Sequence, residues 1–184
     1  MTPLTGRNAS PGAAGIVIMA NVNGERVVAV LVGLQASGKT TFAARLAASG
    51  YVVVSKDAFP NARRRQRRQL RLIADALAAG RDVVVDNTNP APAEWAPLVG
   101  LAREHGAAAV AYWFPPDPAG SWRRNAERPA PARVPEAGLR ATLARLRRPG
   151  TGDGFEAVRT VRFDGAGGFA VGTDEADEAA PRAR

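Results

Sequence analysis

The fold of this chain is decided by the stretch VVAVLVGLQASGKTTFAARLA, residues 27–47. It opens with Val27 to Val32, an apolar and mostly β-branched run that predicts a buried strand. An apolar pattern at helical spacing begins at about Lys39. The segment between them, Gly33 to Thr40, has the spacing Gly-x-x-x-x-Gly-Lys-Ser/Thr, which is typical of a phosphate-binding loop between a strand and a helix.

The chemistry of phosphate binding explains this spacing. Gly33 and Gly38 allow the backbone to curl so that successive N–H groups point towards an anion, and the following helix adds the positive end of its dipole. Lys39 is expected to reach the outer phosphates of ATP, and the Thr40 hydroxyl is expected to coordinate Mg²⁺. The loop residues predicted to contact the nucleotide are Gly33, Ala36, Ser37, Gly38, Lys39, Thr40 and Thr41.

The composition limits the classes of site that the chain can contain. Its 184 residues are enough for one domain with a sizeable core. It has no cysteine and a single histidine, His105, which excludes disulfides, cysteine-ligated metals and multi-histidine metal sites. The net charge is +8, and Lys39 and Lys56 are the only lysines among many arginines. This charge suits a polyanionic partner and suits solubility equally well.

The two ends of the chain differ from its body. Residues 1–22 are rich in small and polar residues and are predicted to be disordered, as is the acidic tail, residues 173–184. Residues 23–172 are predicted to form one domain. No apolar run reaches membrane-spanning length, and the start lacks the features of a signal peptide. A cytoplasmic protein without a membrane partner is therefore expected, and no feature indicates an oligomeric state.

A second buried strand is predicted over residues 51–57, YVVVSKD, which end in a polar cluster. In doubly wound α/β folds, ligands bind at the carboxyl ends of the strands, which places Asp57 near the phosphate loop. A carboxylate there is suited to accept the proton of a hydroxyl that attacks the γ-phosphate. It is equally suited to be a helix N-cap or the partner of a nearby arginine, and the residue type alone favours neither interpretation.

Arginines are concentrated a few residues after this strand. The segment 61–80 carries six of them, all within residues 63–71, and its second half has apolar residues at helical spacing. Such a dense run repels itself unless anions are nearby. Arg64 and Arg67 are therefore predicted to bind the phosphates of a nucleic-acid acceptor, and a solvated helix face is the alternative. The arginines of the run are Arg63, Arg64, Arg65, Arg67, Arg68 and Arg71.

A third strand is predicted within RDVVVDNTN, residues 81–89. It ends in Asp86, at the position where P-loop proteins hold Mg²⁺ through a carboxylate at the end of a strand, so Asp86 is predicted as a metal ligand beside the loop threonine. Asn87, Thr88 and Asn89 offer neutral polar groups at the same rim and are predicted to contact the substrate.

A late helical segment, SWRRNAERP at residues 121–129, contains three arginines within two helical turns. Arg124 and Arg128 are four residues apart and share a helix face. In a P-loop kinase such a cluster would form a lid that closes over the phosphates and stabilises charge on the transferring group. Arg124 and Arg128 are therefore predicted to be catalytic and Arg123 to contact the nucleotide, with surface charge as the alternative.

The order of the elements indicates the fold class. Five predicted strands alternate with helices, and the phosphate loop follows the first strand. This order predicts an α/β, three-layer P-loop NTPase fold of the nucleoside-kinase type with a mainly parallel, five-stranded sheet. GGFAVG, residues 167–172, is a candidate for an additional short edge strand.

The order of these motifs resembles the 5′-kinase domain of polynucleotide kinases. More broadly it is similar to the P-loop kinase group that includes zeta-toxin-like enzymes, among AAA-type ATP-binding proteins. The resemblance covers about residues 27–163 and rests on GLQASGKT, SKD, VVVDNTN, RRNAERP and GDGFEAVRTV. It implies transfer of the ATP γ-phosphate to a 5′-hydroxyl of RNA or DNA. The matching positions imply nucleotide and metal binding by Lys39 and Thr40, hydroxyl activation by Asp57, and a lid containing Arg124 and Arg128.

The chain departs from this pattern in three ways. Leu34-Gln35-Ala36 stands where the family often has a Pro-Gly pair, and Ser55-Lys56-Asp57 stands where it has Asn-Arg-Asp. The motif Asp-x-Asp-x-Thr does not occur in the sequence, so the 3′-phosphatase activity of fused relatives is not expected.

Three functions compete at this stage. The leading hypothesis is an ATP-dependent kinase acting on a polynucleotide 5′-hydroxyl. The second is a P-loop kinase for a small hydroxylated molecule such as a nucleoside, sugar or antibiotic, because this fold hosts many acceptors. The third is a non-enzymatic, ATP-responsive nucleic-acid-binding module in which Asp57 has only a structural place.

Overall fold

The computed structural model describes residues 25–61 and 63–173 of the chain. The disorder predicted for residues 1–22 and for the acidic tail after residue 173 lies outside the described residues.

Six strands of the described residues form one sheet in the order β2-β3-β1-β4-β5-β6. All neighbouring strands are parallel except β5 and β6. This confirms the predicted α/β fold with a mainly parallel sheet, and the sixth strand comes from the edge segment containing GGFAVG. The strands are β1 (Val27–Val32), β2 (Val52–Val54), β3 (Val83–Val85), β4 (Ala108–Trp113), β5 (Ala157–Phe163) and β6 (Phe169–Thr173).

Helices follow the parallel strands and cover both faces of the sheet. They are α1 (Lys39–Ala48), α2 (Arg65–Ala78), α3 (Pro92–Glu104), α4 (Pro118–Ala126) and α5 (Glu136–Arg145). The arginine-rich helix α2 begins at Arg65, so Arg63 and Arg64 of the run precede it. Its first turn contains arginines and no acidic residue, and cations at a helix N-terminus oppose the positive end of the helix dipole.

The central strand β1 shows why the fold has three layers. All six of its residues are buried, as expected for a parallel strand covered on both faces. Its alternate residues Val28 and Val30 pack with Ile73 of α2 and Trp95 of α3. Leu31 faces the opposite side, in the cluster that contains Phe42 and Leu46 of α1.

Two hydrogen bonds join the end of β1 to the segment that follows β3. The Gly33 N–H donates to the Thr88 carbonyl at 3.0 Å. The Asn89 side-chain amide donates to the Leu31 carbonyl at 2.8 Å, and Asn89 itself is only 2% exposed. Asn89 has a φ of 41°, in the left-handed region where asparagine is favoured over most residues. These bonds hold the start of the phosphate loop against the residues after Asp86.

Within residues 25–61 and 63–173, no helix combines the length and the apolar character that crossing a membrane requires.

Asn89→Ala is expected to lower the free energy of unfolding by about 1–3 kcal/mol, because the buried Leu31 carbonyl would lose its side-chain donor. Urea unfolding followed by circular dichroism measures this change. Asn61→Ala, at an exposed position, is the matched control and should change stability by less than about 0.5 kcal/mol. Equal stability of the two variants would contradict the structural place assigned to Asn89.

Candidate functional site

A cleft of about 800 Å³ opens at the carboxyl ends of β1, β2 and β3, and we call it the main cleft. Its lining combines the phosphate loop, the segments after β2 and β3, helix α4 and the end of β5. It brings together most of the residues predicted from the sequence. These are Ala36, Gly38, Lys39, Thr40, Thr41, Asp57, Asp86, Asn87, Thr88, Arg124 and Arg128.

The phosphate loop turns sharply into α1 at Gly38. Gly38 has a φ of 96°, and a Cβ placed on it would lie 2.9 Å from Cζ of Phe163. The backbone conformation therefore favours glycine at this position, and a Cβ here would also require the Phe163 ring to shift. The turn buries Ser37, which is 7% exposed, and it places Lys39 at the start of α1.

Lys39 is a buried cation with neutral neighbours. It is 6% exposed, and its ammonium donates to the Leu34 carbonyl and to Ser37 Oγ. Burial lowers the pKa of Lys39 to about 7, and the more distant carboxylates of Asp86 and Asp57 only partly oppose this effect. A bound phosphate would supply the negative charge that the ammonium lacks, so the site fits the outer phosphates of a nucleotide.

Thr40 and Asp86 meet at the same end of the main cleft. Their side chains are hydrogen-bonded, and burial raises the pKa of the Asp86 carboxyl above its usual range. A hydroxyl and a carboxylate are oxygen ligands of the kind that Mg²⁺ prefers. The donor set therefore fits Mg²⁺, and a bound divalent cation would favour the charged form of Asp86.

Asp57 lies at the rim of the main cleft, in a short helical turn, Lys56–Ala58, that follows β2. The turn is capped by Ser55, whose hydroxyl accepts from the Asp57 N–H at 3.3 Å. The Asp57 carboxylate is 87% exposed and pairs with Arg65 Nη2 at 3.6 Å. Ser55 and not Asp57 is therefore the N-cap of this turn, whereas Asp57 does have an arginine partner, Arg65. An exposed pair of this kind is worth less than about 1 kcal/mol, so an incoming substrate can open it.

Arg124 connects helix α4 to the phosphate loop. Its Nε donates to the Ala36 carbonyl at 2.7 Å, and its Nη2 pairs with Asp117 Oδ2 at 3.3 Å. Its guanidinium also lies 5.1 Å from the ring centroid of Phe163. Asp117 is the N-cap of α4, and the backbone N–H of Gly120 is the main reason that the pKa of Asp117 is lowered. These contacts place α4 over the phosphate loop, where a lid would lie. Helix α4 ends at Ala126, so Arg128 lies beyond it and does not share a helix face with Arg124 as predicted, although both line the main cleft.

A second, smaller cavity of about 350 Å³ adjoins the main cleft, and we call it the side groove. The two cavities share Asp57, Asn87 and Thr88. Helix α5 closes the side groove, and Gln35 of the phosphate loop reaches it by donating to Thr142 Oγ1 at 2.7 Å. The residues of the side groove that were not predicted as site residues are Lys56, Arg65, Gln66, Pro90, Glu94, Thr142 and Arg145.

Several predicted site residues lie outside both cavities or are used structurally. Arg123 is exposed on α4 and does not line the main cleft. The Gly33 N–H donates to the Thr88 carbonyl and is not available to a phosphate. A Cβ on Gly33 would lie 2.8 Å from Cβ of Phe114. Asn89 lines the side groove, but its side-chain amide donates to the Leu31 carbonyl, so the structure gives it a structural role and its substrate contact stays a prediction.

Arg64 and Arg67 also lie apart from the main cleft. They line a separate surface depression of about 680 Å³ along α2, which we call the arginine groove. Its lining residues are Arg63, Arg64, Arg67, Arg68, Arg71, Leu72 and Asp75.

Three supporting residues of the site were not predicted as site residues from the sequence. Gln69 is fully buried and donates to Asn87 Oδ1 at 2.6 Å, which orients that side chain. Asp117 and Phe163 hold Arg124, as described above. An N-cap pattern before α4 could have identified Asp117, but Gln69 and Phe163 sit in ordinary helix and strand patterns.

The comparisons with known proteins agree with this geometry. A family model described as an AAA domain (AAA_33) matches residues 28–149. Kti12 from Chaetomium thermophilum, in complex with ADP-AlF3, superposes with a TM-score of 0.59 at 16% identity, over 74% of this chain and 89% of that chain. A comparison with curated proteins found no match.

Two kinases are also similar in structure. A fungal RNA kinase has a TM-score of 0.58 at 17% identity, over 75% of this chain but only 38% of that chain. A gluconokinase from Sinorhizobium meliloti 1021 has a TM-score of 0.52 at 23% identity, over 73% of this chain and 81% of that chain. At these identities the likeness shows the fold and does not transfer a substrate.

The family match covers well over half of the 184 residues, and the fold and phosphate loop imply nucleotide binding. The chain is a member of the AAA domain family AAA_33 and has a P-loop kinase-like fold.

Proposed function

We propose that the protein is an ATP-dependent kinase that transfers the γ-phosphate to a hydroxyl, and that the acceptor is the 5′-hydroxyl of RNA or DNA. The observation that carries the proposal is the position of Asp57. It is the one carboxylate that lines both the main cleft and the side groove in the described residues. A hydroxyl held in the side groove would therefore meet a phosphate held in the main cleft at this side chain.

The main cleft supplies the groups that hold the phosphate donor. Lys39 would exchange its neutral acceptors for phosphate oxygens, and the N–H groups of the loop would add further hydrogen bonds. Thr40 and Asp86 would hold Mg²⁺, which neutralises negative charge on the phosphates when it is bound.

The other charged side chains of the site each have one role in the transfer step. The acceptor oxygen forms a bond to the γ-phosphorus as the bond to the leaving oxygen of ADP breaks, and the hydroxyl proton passes to the Asp57 carboxylate. Arg65 holds that carboxylate at 3.6 Å in the free protein. Arg124 and Arg128 would stabilise the charge on the transferring group from the lid side.

The arginine groove favours a nucleic acid as the acceptor. The first turn of α2 has no acidic residue to complement its dipole, and Arg67 and Arg68 of that turn line the arginine groove. Arg68 packs 5.0 Å above the ring of Phe59, which keeps its charge on this surface. A nucleic-acid backbone passing along α2 would relieve the repulsion among these cations.

The size of the side groove favours a second candidate, a small-molecule kinase. A cavity of about 350 Å³ closed by α5 has room for one sugar or nucleoside unit. In that case the arginine groove would be a solvated helix face. Both candidates transfer the γ-phosphate in the same way. They differ in whether the acceptor ends within the side groove or continues beyond it as a nucleic acid.

Asp57→Asn is expected to lower the rate of transfer by at least about 100-fold, because an amide cannot accept the hydroxyl proton. The assay follows label from γ-labelled ATP onto a 5′-hydroxyl oligonucleotide and, separately, onto a mixture of nucleosides and sugars. ATP affinity should stay within about twofold. Glu104→Gln makes the same change at an exposed position on α3 and should have no effect. Full transfer by the Asp57 variant would contradict its role, and absence of turnover onto any acceptor by the unmodified protein would favour the non-enzymatic module.

Nucleotide affinity is expected to fall as the pH rises above 7. Burial lowers the pKa of Lys39 to about 7 in the free protein, whereas a bound phosphate favours the charged ammonium. Binding above pH 7 therefore takes up a proton, and affinity should decrease by up to about tenfold per pH unit. Titration calorimetry with ADP between pH 7 and 9 measures this slope. Lys39→Met should bind weakly with little dependence on pH, and a flat profile for the unmodified protein would contradict the assignment.

Replacing Arg64, Arg67 and Arg68 by Gln is expected to weaken binding of a single-stranded oligonucleotide. The salt dependence of the binding constant should also become shallower, by about 0.7 in the log–log slope for each phosphate contact that is lost. The control removes the same charge at Arg81, Arg103 and Arg140, which lie outside the arginine groove. Equal losses for both triple variants would indicate a general charge effect and favour the small-molecule candidate.

A further inference from the structure

We propose that the side groove binds an anionic group of the acceptor and that the Lys56 ammonium is the principal contact for that group. This inference rests on the proposed kinase function and adds the chemical class of the acceptor to it. The acceptor would carry a negative charge a few bonds away from its reactive hydroxyl.

The pairing of charges in the side groove supports this assignment. Three cations and two carboxylates line it. Arg65 pairs with Asp57 at 3.6 Å, and Arg145 pairs with Glu94. Among the described residues, no hydrogen bond or ion pair is made by the Lys56 ammonium. The side groove thus has one positive charge in excess, and that charge sits on the residue next to Asp57.

Lys56 is held in place by its backbone, although its ammonium makes no hydrogen bond or ion pair within the described part of the chain. Its N–H donates to Asn87 Oδ1 at 3.5 Å, and its carbonyl accepts from Arg65 Nη2 at 3.2 Å. Burial is the main reason that the pKa of Lys56 is lowered, and the nearby Arg65 adds to this effect while Glu94 opposes it. A partly buried ammonium without a close anion is stabilised by an anionic ligand.

Two further polar atoms of the side groove lack partners. Gln66 Nε2 and Glu94 Oε2 are buried and make no hydrogen bond in the described part of the chain. Buried polar groups of this kind are uncommon, because most find a partner within the protein or in water. Their presence on the wall beside Lys56 indicates a polar ligand and not an apolar one.

The position of Lys56 limits where the anion lies in the acceptor. Because Lys56 and Asp57 are adjacent in the chain and line the same small cavity, the anion and the reactive hydroxyl must belong to one compact unit. A nucleoside 3′-phosphate at the 5′ end of a nucleic acid has this arrangement, and so does a sugar acid. An uncharged nucleoside or sugar does not.

The experiment compares acceptors in pairs that differ only in the anionic group. One pair is a nucleoside 3′-phosphate and the same nucleoside, and the other is gluconate and glucose. Transfer from γ-labelled ATP is measured as kcat and KM for the unmodified protein, Lys56→Gln, Lys56→Arg and Arg103→Gln. Arg103→Gln removes one charge from an exposed position on α3 that lines neither cavity.

The unmodified protein is expected to prefer the charged member of one pair by about 10- to 100-fold, mainly through KM. Lys56→Gln should reduce this preference to within about twofold, whereas Lys56→Arg and Arg103→Gln should retain most of it. The pair that responds tells whether the anion is a nucleic-acid phosphate or the carboxylate of a sugar acid. A preference that survives in Lys56→Gln, or that is missing in the unmodified protein, would overturn the proposal.

A binding measurement separates this inference from the kinase activity itself. Nucleoside 3′-phosphate and gluconate are each titrated into the same four proteins in the presence of saturating ADP and Mg²⁺. If no acceptor is phosphorylated but Lys56→Gln weakens binding of one anion by about 10- to 100-fold, the proposed function fails and the anion site stands. Equal affinity of Lys56→Gln and the unmodified protein for both anions would overturn the anion site, whatever the kinase assay shows.

Discussion

Complete burial of β1 is the constraint on which the rest of the structure depends. Because both neighbours of this strand are parallel to it, helices must cover both faces of the sheet. The polar groups at the carboxyl end of β1 meet the segment that follows β3. There the backbone of Thr88 and the side chain of Asn89 satisfy the groups that β1 leaves unpaired. The same two bonds place the phosphate loop beside Asp86, so the strand that organises the core also assembles the site.

Burial of charge explains the chemistry of that edge. The Lys39 ammonium is buried and donates to neutral acceptors, and the Asp86 carboxyl lies beside the Thr40 hydroxyl. Burial lowers the pKa of Lys39 and raises the pKa of Asp86, so it favours the neutral form of each group. Each of these groups is stabilised by a ligand of opposite charge. A phosphate beside Lys39 and a divalent cation beside Asp86 would satisfy both at once, which is why the two halves of the site suit a metal–nucleotide complex.

Asp57 lies between the two cavities of the site. On one side of it lies the main cleft, which contains the phosphate loop that fits the family match. On the other side lies the side groove, whose Lys56, Glu94 and Arg145 come from three different elements. Function in such folds is set by the site and not by the architecture. The acceptor therefore has to be argued from the charges of the side groove and of the arginine groove.

The sequence by itself determined the fold class, the phosphate loop and most residues of the main cleft, because those signals are local: a strand, a glycine-rich turn and a helix are contiguous in the chain. It also placed Asp57 and Asp86 correctly at one edge, since parallel strands end together. Only the tertiary structure decided that Asn89 is buried, that Arg64 and Arg67 face a separate groove, and that α5 closes the side groove. Those facts depend on which distant elements pack together, and neither spacing nor composition records the contacts between Thr142 and Gln35 or between Arg145 and Glu94.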